Sequence, residues 1–296
     1  MRPPLPLTET RIRRCASCAT CCRARHAFSL PPANESGMSI PIVIGASGIA
    51  GWKIVQRTEA RQVAAVAKDP VVQRATTYFR ENVSRADKAE DFVKDYRLLH
   101  TALSAFGLEA DLPNKAFIQK VLESDVGDKK SLVNRLADKR YLRMAEALGF
   151  GSKKPQPDLA NTVSQAFVQR EFERRVGEGD ETLRLALNAR REMQQFASRS
   201  SSDRTLWFEV MGNQPLRKVF EGAFGFSQSY GRLDVDRQVE EFMRGAKRVL
   251  GSDSFKEITS AASIDKLVQT FMVRSQATEA TGQNRYSAAL LLLTGG

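Results

Sequence analysis

An all-α fold is what this sequence predicts, and three observations predict it. Helix-starting and helix-stopping residues follow one another with little between them, apolar residues recur at three- and four-residue spacing, and the alternation that marks strands is essentially missing. With 296 residues, 42% hydrophobic and 27% charged, the chain can bury a sizeable core and falls in the ordinary globular class. A membrane-spanning helix needs about 18 consecutive apolar residues. The longest apolar run here, Ala288 to Leu293, stops after six.

Residues 1–37 stand apart from the rest. They combine prolines, six arginines against two glutamates, and all four cysteines of the chain, Cys15, Cys18, Cys21 and Cys22, with no apolar period that could form a helix face or a strand. Thiolates at this spacing, with His26, could converge on zinc or an iron-sulfur cluster, but no hairpin or helix pattern flanks them to build a small fold around a metal. The segment also lacks the apolar stretch of a secretory signal. It is expected to be a disordered extension upstream of a true start at Met38.

Ser39 to Ile44 followed by Gly45-Ala46-Ser47-Gly48-Ile49-Ala50-Gly51 imitates a strand that turns into a helix through G-x-x-G-x-x-G. In a dinucleotide-binding reductase, glycines at Gly45, Gly48 and Gly51 would let the backbone approach a pyrophosphate seated on the next helix. That chemistry needs further parallel strands and an acidic residue about 20 positions on. No second strand is legible after Gly51, so the glycines are expected to punctuate a flexible arm rather than hold NAD(P).

Helix signals then run to the end. Trp52 to Lys68 is followed by Asp69-Pro70, a cap and a first-turn proline for the next helix. Asp87-Lys88-Ala89-Glu90 has the spacing of a capping box and is expected to open a helix that stops at Gly107. Further helices are expected at about 113–124, 129–148, 158–176, 180–198, 203–211, 214–224, 234–250 and 263–275. Two stretches resemble each other: Asp95 to Leu108 and Asn213 to Phe226 each begin with an Asx residue and end in Ala-Phe-Gly plus an apolar residue. A looser third copy runs from Asp138 to Phe150. The glycine closes a helix in the left-handed conformation and the next residue folds back on the last turn, so Ala-Phe-Gly reads as a helix terminator and not a ligand box. The copies suggest internally duplicated helical units, 38–151 and 152–296.

Little in this body points to catalysis. The net charge of +11 is diluted outside residues 1–37 by close alternation of acids and bases, as in Arg170 to Arg175 and Asp234 to Arg237, which reads as solvated helix surface rather than a phosphate track. The single histidine of the body, His100, falls on a polar-facing position with no partner for a metal site or a triad. Carboxylates such as Glu171 and Glu173, or Glu240 and Glu241, point to different helix faces, and the aromatics fall at helical spacings beside Leu and Val, where core packing explains them. No catalytic, cofactor-binding or metal-binding residue is therefore expected. The alternatives are a reductase using the Gly45 turn and a basic nucleic-acid-binding regulator.

Several longer segments carry a family resemblance: Tyr78 to Asn82 with Asp91 to Leu108, Leu136 to Tyr141, Phe167 to Glu173, Leu183 to Glu192, and Trp207 to Arg217. In this order they resemble a bacterial family of domains of unknown function whose genes lie in flagellar operons. The resemblance runs from about Gly48 to the C-terminus, and members typically begin near the position of Met38. The resemblance implies a flagellar context and no mechanism; joined to the lack of catalytic residues, it leads to the expectation of a non-enzymatic structural or assembly protein, in the flagellum or the cytoplasm, that contacts other flagellar proteins through its helices. By analogy with flagellar axial proteins, the apolar ends Ile40 to Ile49 and Ala288 to Leu293 would pack against neighbouring subunits.

Overall fold

The computed structural model describes residues 42–151 and 155–294. The cysteine cluster, His26 and the rest of the 1–37 extension lie outside them. The described residues form fourteen α-helices and no strand. In chain order these are α1 Gly48–Ala67, α2 Pro70–Asn82, α3 Ala89–Lys94, α4 Tyr96–Phe106, α5 Lys115–Glu123, α6 Leu132–Arg135, α7 Arg140–Leu148, α8 Leu159–Gly179, α9 Glu181–Phe196, α10 Asp203–Gly212, α11 Gln214–Phe224, α12 Val235–Leu250, α13 Phe255–Ile258 and α14 Ala261–Thr294.

Local chemistry sets most of these boundaries. Asp69 caps α2 by accepting from the Val71 N–H at 2.8 Å, with Pro70 in the first turn. Asp180, Asn213 and Asp234 cap α9, α11 and α12 in the same way. The expected capping box at Asp87 does not form: α3 begins at Ala89 without a side-chain cap. Asp95 instead accepts from the N–H groups of Arg97 and Leu98, so the single helix expected there is broken into α3 and α4. The expected helix over 129–148 is likewise split into α6 and α7, and α14 runs well past the expected end at residue 275. The side chains of Ala288 to Leu293, on that continuation, lie outside the described residues.

One apolar cluster draws on helices from Trp52 to Met272. Trp207 sits near its centre, fully buried, 4.9 Å from Phe255 and 5.4 Å from Phe220 between ring centroids, with its Nε1 donating to the Asp253 carbonyl at 3.0 Å. Burying a side chain of this size stabilises by roughly 1.5–3 kcal/mol, and the Trp N–H finds the partner it needs.

The similar stretches end alike. Gly107 closes α4 at φ 72° and Gly225 closes α11 at φ 73°, and Gly149 closes α7 at φ 69°. The apolar residue after the first two glycines returns its N–H to the helix, Leu108 to Leu103 O at 2.8 Å and Phe226 to Glu221 O at 3.0 Å. The Gly107 and Gly225 turns are also held by arginines from later helices. Arg140 donates to the Gly107 carbonyl at 2.5 Å and Arg170 to the Phe106 carbonyl at 3.3 Å, while Arg248 donates to the Phe224 carbonyl at 3.1 Å. A Cβ on Gly107 would meet the Arg170 guanidinium at 2.7 Å, and one on Gly225 would meet that of Arg274.

Glycine at 107 is thus required twice, for its backbone and for the space it leaves. Gly107→Ala should lower stability by about 1–2 kcal/mol from the left-handed conformation alone, more with the displaced arginine, as read by urea unfolding. Gly179→Ala, where a Cβ meets nothing within 4 Å, should leave the midpoint unchanged or raise it.

Candidate functional site

Where α4 ends, helices α7, α8 and α9 converge on a cluster of buried charges. Glu192 of α9 is 1% exposed and serves three guanidiniums: its Oε1 accepts from Arg170 at 3.1 Å and Arg191 at 2.7 Å, and its Oε2 from Arg143 at 2.8 Å. Glu173, also buried, accepts from Arg191 Nε at 2.7 Å and lies 3.8 Å from Arg170. The Asn188 amide, turned with its oxygen toward the arginines, accepts from Arg170 at 2.8 Å and Arg191 at 2.9 Å. Arg170 Nε is buried without a partner. A second pair ties α8 to the α1–α2 junction, where Arg175 donates to Asp69 at 2.9 Å with both side chains buried and also to Glu171 at 2.8 Å.

These charges correct the solvated-surface reading of Arg170 to Arg175. Within that run Arg174 is exposed, paired with Glu171 and Glu178, but Glu173 and Arg175 are buried and Arg170 is nearly so. Sequence spacing finds the i, i+3 and i+4 partners, but the cross-helix ones only tertiary packing supplies. Glu171 and Glu173 do point to different faces, as expected, each toward its own arginines.

Beside the cluster lies a cavity of about 320 Å³. Phe106, Leu159 and Val163 make an apolar wall, and Arg143, Arg170 and Arg191 the charged one. Burial alone would raise the Glu192 carboxyl, but Arg191, Arg143 and Arg170 outweigh it and hold that carboxyl well below the usual carboxylate range. Burial, reinforced by Arg191, brings the Arg170 guanidinium down to about 10. Both groups therefore keep their charge at neutral pH, and neither is poised to exchange a proton as general catalysis requires. Among the described residues, no three His, Cys, Asp or Glu side chains converge as a metal site would need.

Two of the three glycines of the motif, Gly48 and Gly51, lie against other parts of the chain, while Gly45 has open space around it. Gly45 and Gly48 adopt φ 71° and 58°, and α1 starts at Gly48, so Gly51 lies inside its first turns. A Cβ on Gly48 would strike the Gln276 side chain of α14, and one on Gly51 the Ala46 carbonyl and, at 3.1 Å, Leu183. His100 is more engaged than a polar-facing position implies: it is half-buried, stacked on Tyr96 at 5.8 Å and edge-on to Phe167 at 6.4 Å. Burial lowers its pKa, against the pull of Glu171 and Glu109.

Residues 105–259 match the model of a family described as proteins of unknown function, DUF1217. The crystal structure of a protein from Agrobacterium tumefaciens is similar to this chain, with a TM-score of 0.66 and 24% sequence identity over 80% of this chain and 98% of that one. At that identity the likeness shows the fold alone. No curated protein matches the chain.

Two outcomes follow from the site's electrostatics. Glu192→Gln removes the shared anion and leaves guanidiniums buried against one another, which should cost about 3–5 kcal/mol in chemical unfolding. For His100, a folded pKa below the ordinary 6.5 means that the unfolded chain binds the proton more readily. Stability is then full above about pH 6.5 and falls as pH drops toward the folded value. His100→Gln should show a shallower loss of Tm than the parent between about pH 7 and 5.5, whatever its Tm at neutral pH.

Proposed function

The chain belongs to the DUF1217 family, and from that premise we propose that it is a non-enzymatic structural or assembly component of the bacterial flagellum, acting through helical contacts with other flagellar proteins. The flagellar context comes from the ordered sequence segments between Tyr78 and Arg217, which resemble proteins encoded in flagellar operons. One observation favours a structural role: at the cavity, where charged side chains converge, Glu192 and its three arginines are spent on one another. Such a cluster fixes helices in place.

The reading makes a cellular prediction. In-frame deletion of the gene in its flagellated host is expected to shorten or abolish filaments and reduce swimming, with restoration by a plasmid copy. Filaments and swimming indistinguishable from the parent strain would overturn it.

A further inference from the structure

Helix α1 buries Gly48, Gly51, Trp52, Val55 and Val66, and its opposite face carries cations. Lys53, Arg57, Arg61 and Lys68 are exposed. At about 100° per residue they fall within roughly 80° of arc, along about 22 Å of helix. None of them has an ion pair or side-chain hydrogen bond among the described residues. The acid of this helix, Glu59, is turned inward against Arg190. Some cations on other helices are matched locally, Arg174 by Glu171 and Glu178, Arg184 by Glu181 and Arg244 by Glu241, whereas on α1 a whole row of them is not.

We propose that this face of α1 docks an acidic helix of a partner protein. Lys53, Arg57 and Arg61 recur at the four-residue interval that places carboxylates one turn apart on a facing helix, and Lys68, at the C-cap, extends the row by two turns. Ala60 and Ala64, exposed between them, leave room for a second backbone to lie close. Helix α14 runs alongside α1, with Gln56 donating to Asp265 at 3.3 Å and Gln276 lying over Gly48. Nucleic acid fits less well: duplex DNA carries a charge about every 1.7 Å, while four cations over this length are sparse and no aromatic side chain stands among them. A membrane surface would call for large apolar groups on this face, and beyond the cations it carries alanines and Ile54. The chain's own ends lack the charge to be the occupant, since residues 1–37 are arginine-rich and residues 279–296 hold one acid, Glu279, against Arg285.

The inference rests on the proposed function only in that the partner is a protein; the flagellum plays no part in its test. A photocrosslinking residue placed at Ala60 or Ala64 of the full chain, in its native cells, should give a protein adduct whose crosslinked peptide, sequenced by mass spectrometry, is rich in Asp and Glu at helical spacing. The adduct should disappear in Arg57→Glu/Arg61→Glu or, should that variant misfold by circular dichroism, in Arg57→Gln/Arg61→Gln. In vitro, a synthetic Glu/Ala helix-forming peptide should bind the purified chain and lose about tenfold in affinity with either variant. The proposal is overturned if no protein adduct forms, if the adduct survives both variants or joins a peptide without acidic surplus. It is equally overturned if a 20-base-pair duplex of DNA or phosphatidylglycerol vesicles bind this face more tightly than the peptide.

Discussion

The arrangement of the central helices depends on a single carboxylate, Glu192, shared by arginines from three helices. Taking a charge out of water costs several kcal/mol, and the cost is recovered only when partners surround it with good geometry. Arg143 on α7, Arg170 on α8 and Arg191 on α9 do so at 2.7 to 3.1 Å. Because the guanidinium of Arg170 also reaches the last carbonyl of α4, the position of that helix end is set by the same cluster. A shift of any one helix would leave a buried charge short of partners, so four helices hold one register relative to one another.

The similar turns at Gly107 and Gly225 use this principle unequally. Both end a helix in the left-handed conformation, and both offer a terminal carbonyl to an arginine from further along the chain. In the first, the arginines continue into anions: Arg140 is paired with Asp138 and Arg170 with Glu173 and Glu192. In the second, Arg248 holds the Phe224 carbonyl and Arg274 lies over Gly225, without a described carboxylate behind either. The shared part is backbone chemistry, which a repeated sequence carries with it. The divergent part is tertiary, since α9, which supplies Glu192 and Arg191, stands behind the first turn.

What could be read in the residues follows the same division. The ends of α4, α7 and α11 were legible because glycine after an apolar run has one physical use there, and α11 falls on its expected span because Asn213, Pro215 and Gly225 mark both ends. Asp95 was harder to weigh: capping residues at Asp87 and Asp95 compete for the same stretch, and the nearer partners of Asp95, the N–H groups of Arg97 and Leu98, win. The buried charges were not legible. Arg170, Glu173 and Arg175 have the spacing of surface pairs, and their burial comes from α1, α2 and α9 closing over them.

The disposition of charge also explains how a strongly basic chain can be built around ion pairs. Inside, guanidiniums are matched by carboxylates because burial leaves no alternative, and on several exposed helix faces matching is done within one turn at little energetic consequence. A row of unmatched cations is left where the sequence omits acids from the outward face of α1, away from the face that anchors Trp52 in the core. Folding does not need that surplus, since the cations of α1 touch none of the groups that hold the helices together. Its sequence spends nothing on neutralising them, although one glutamate placed a turn away would, which is the pattern expected of a face that meets its counter-charges on another molecule.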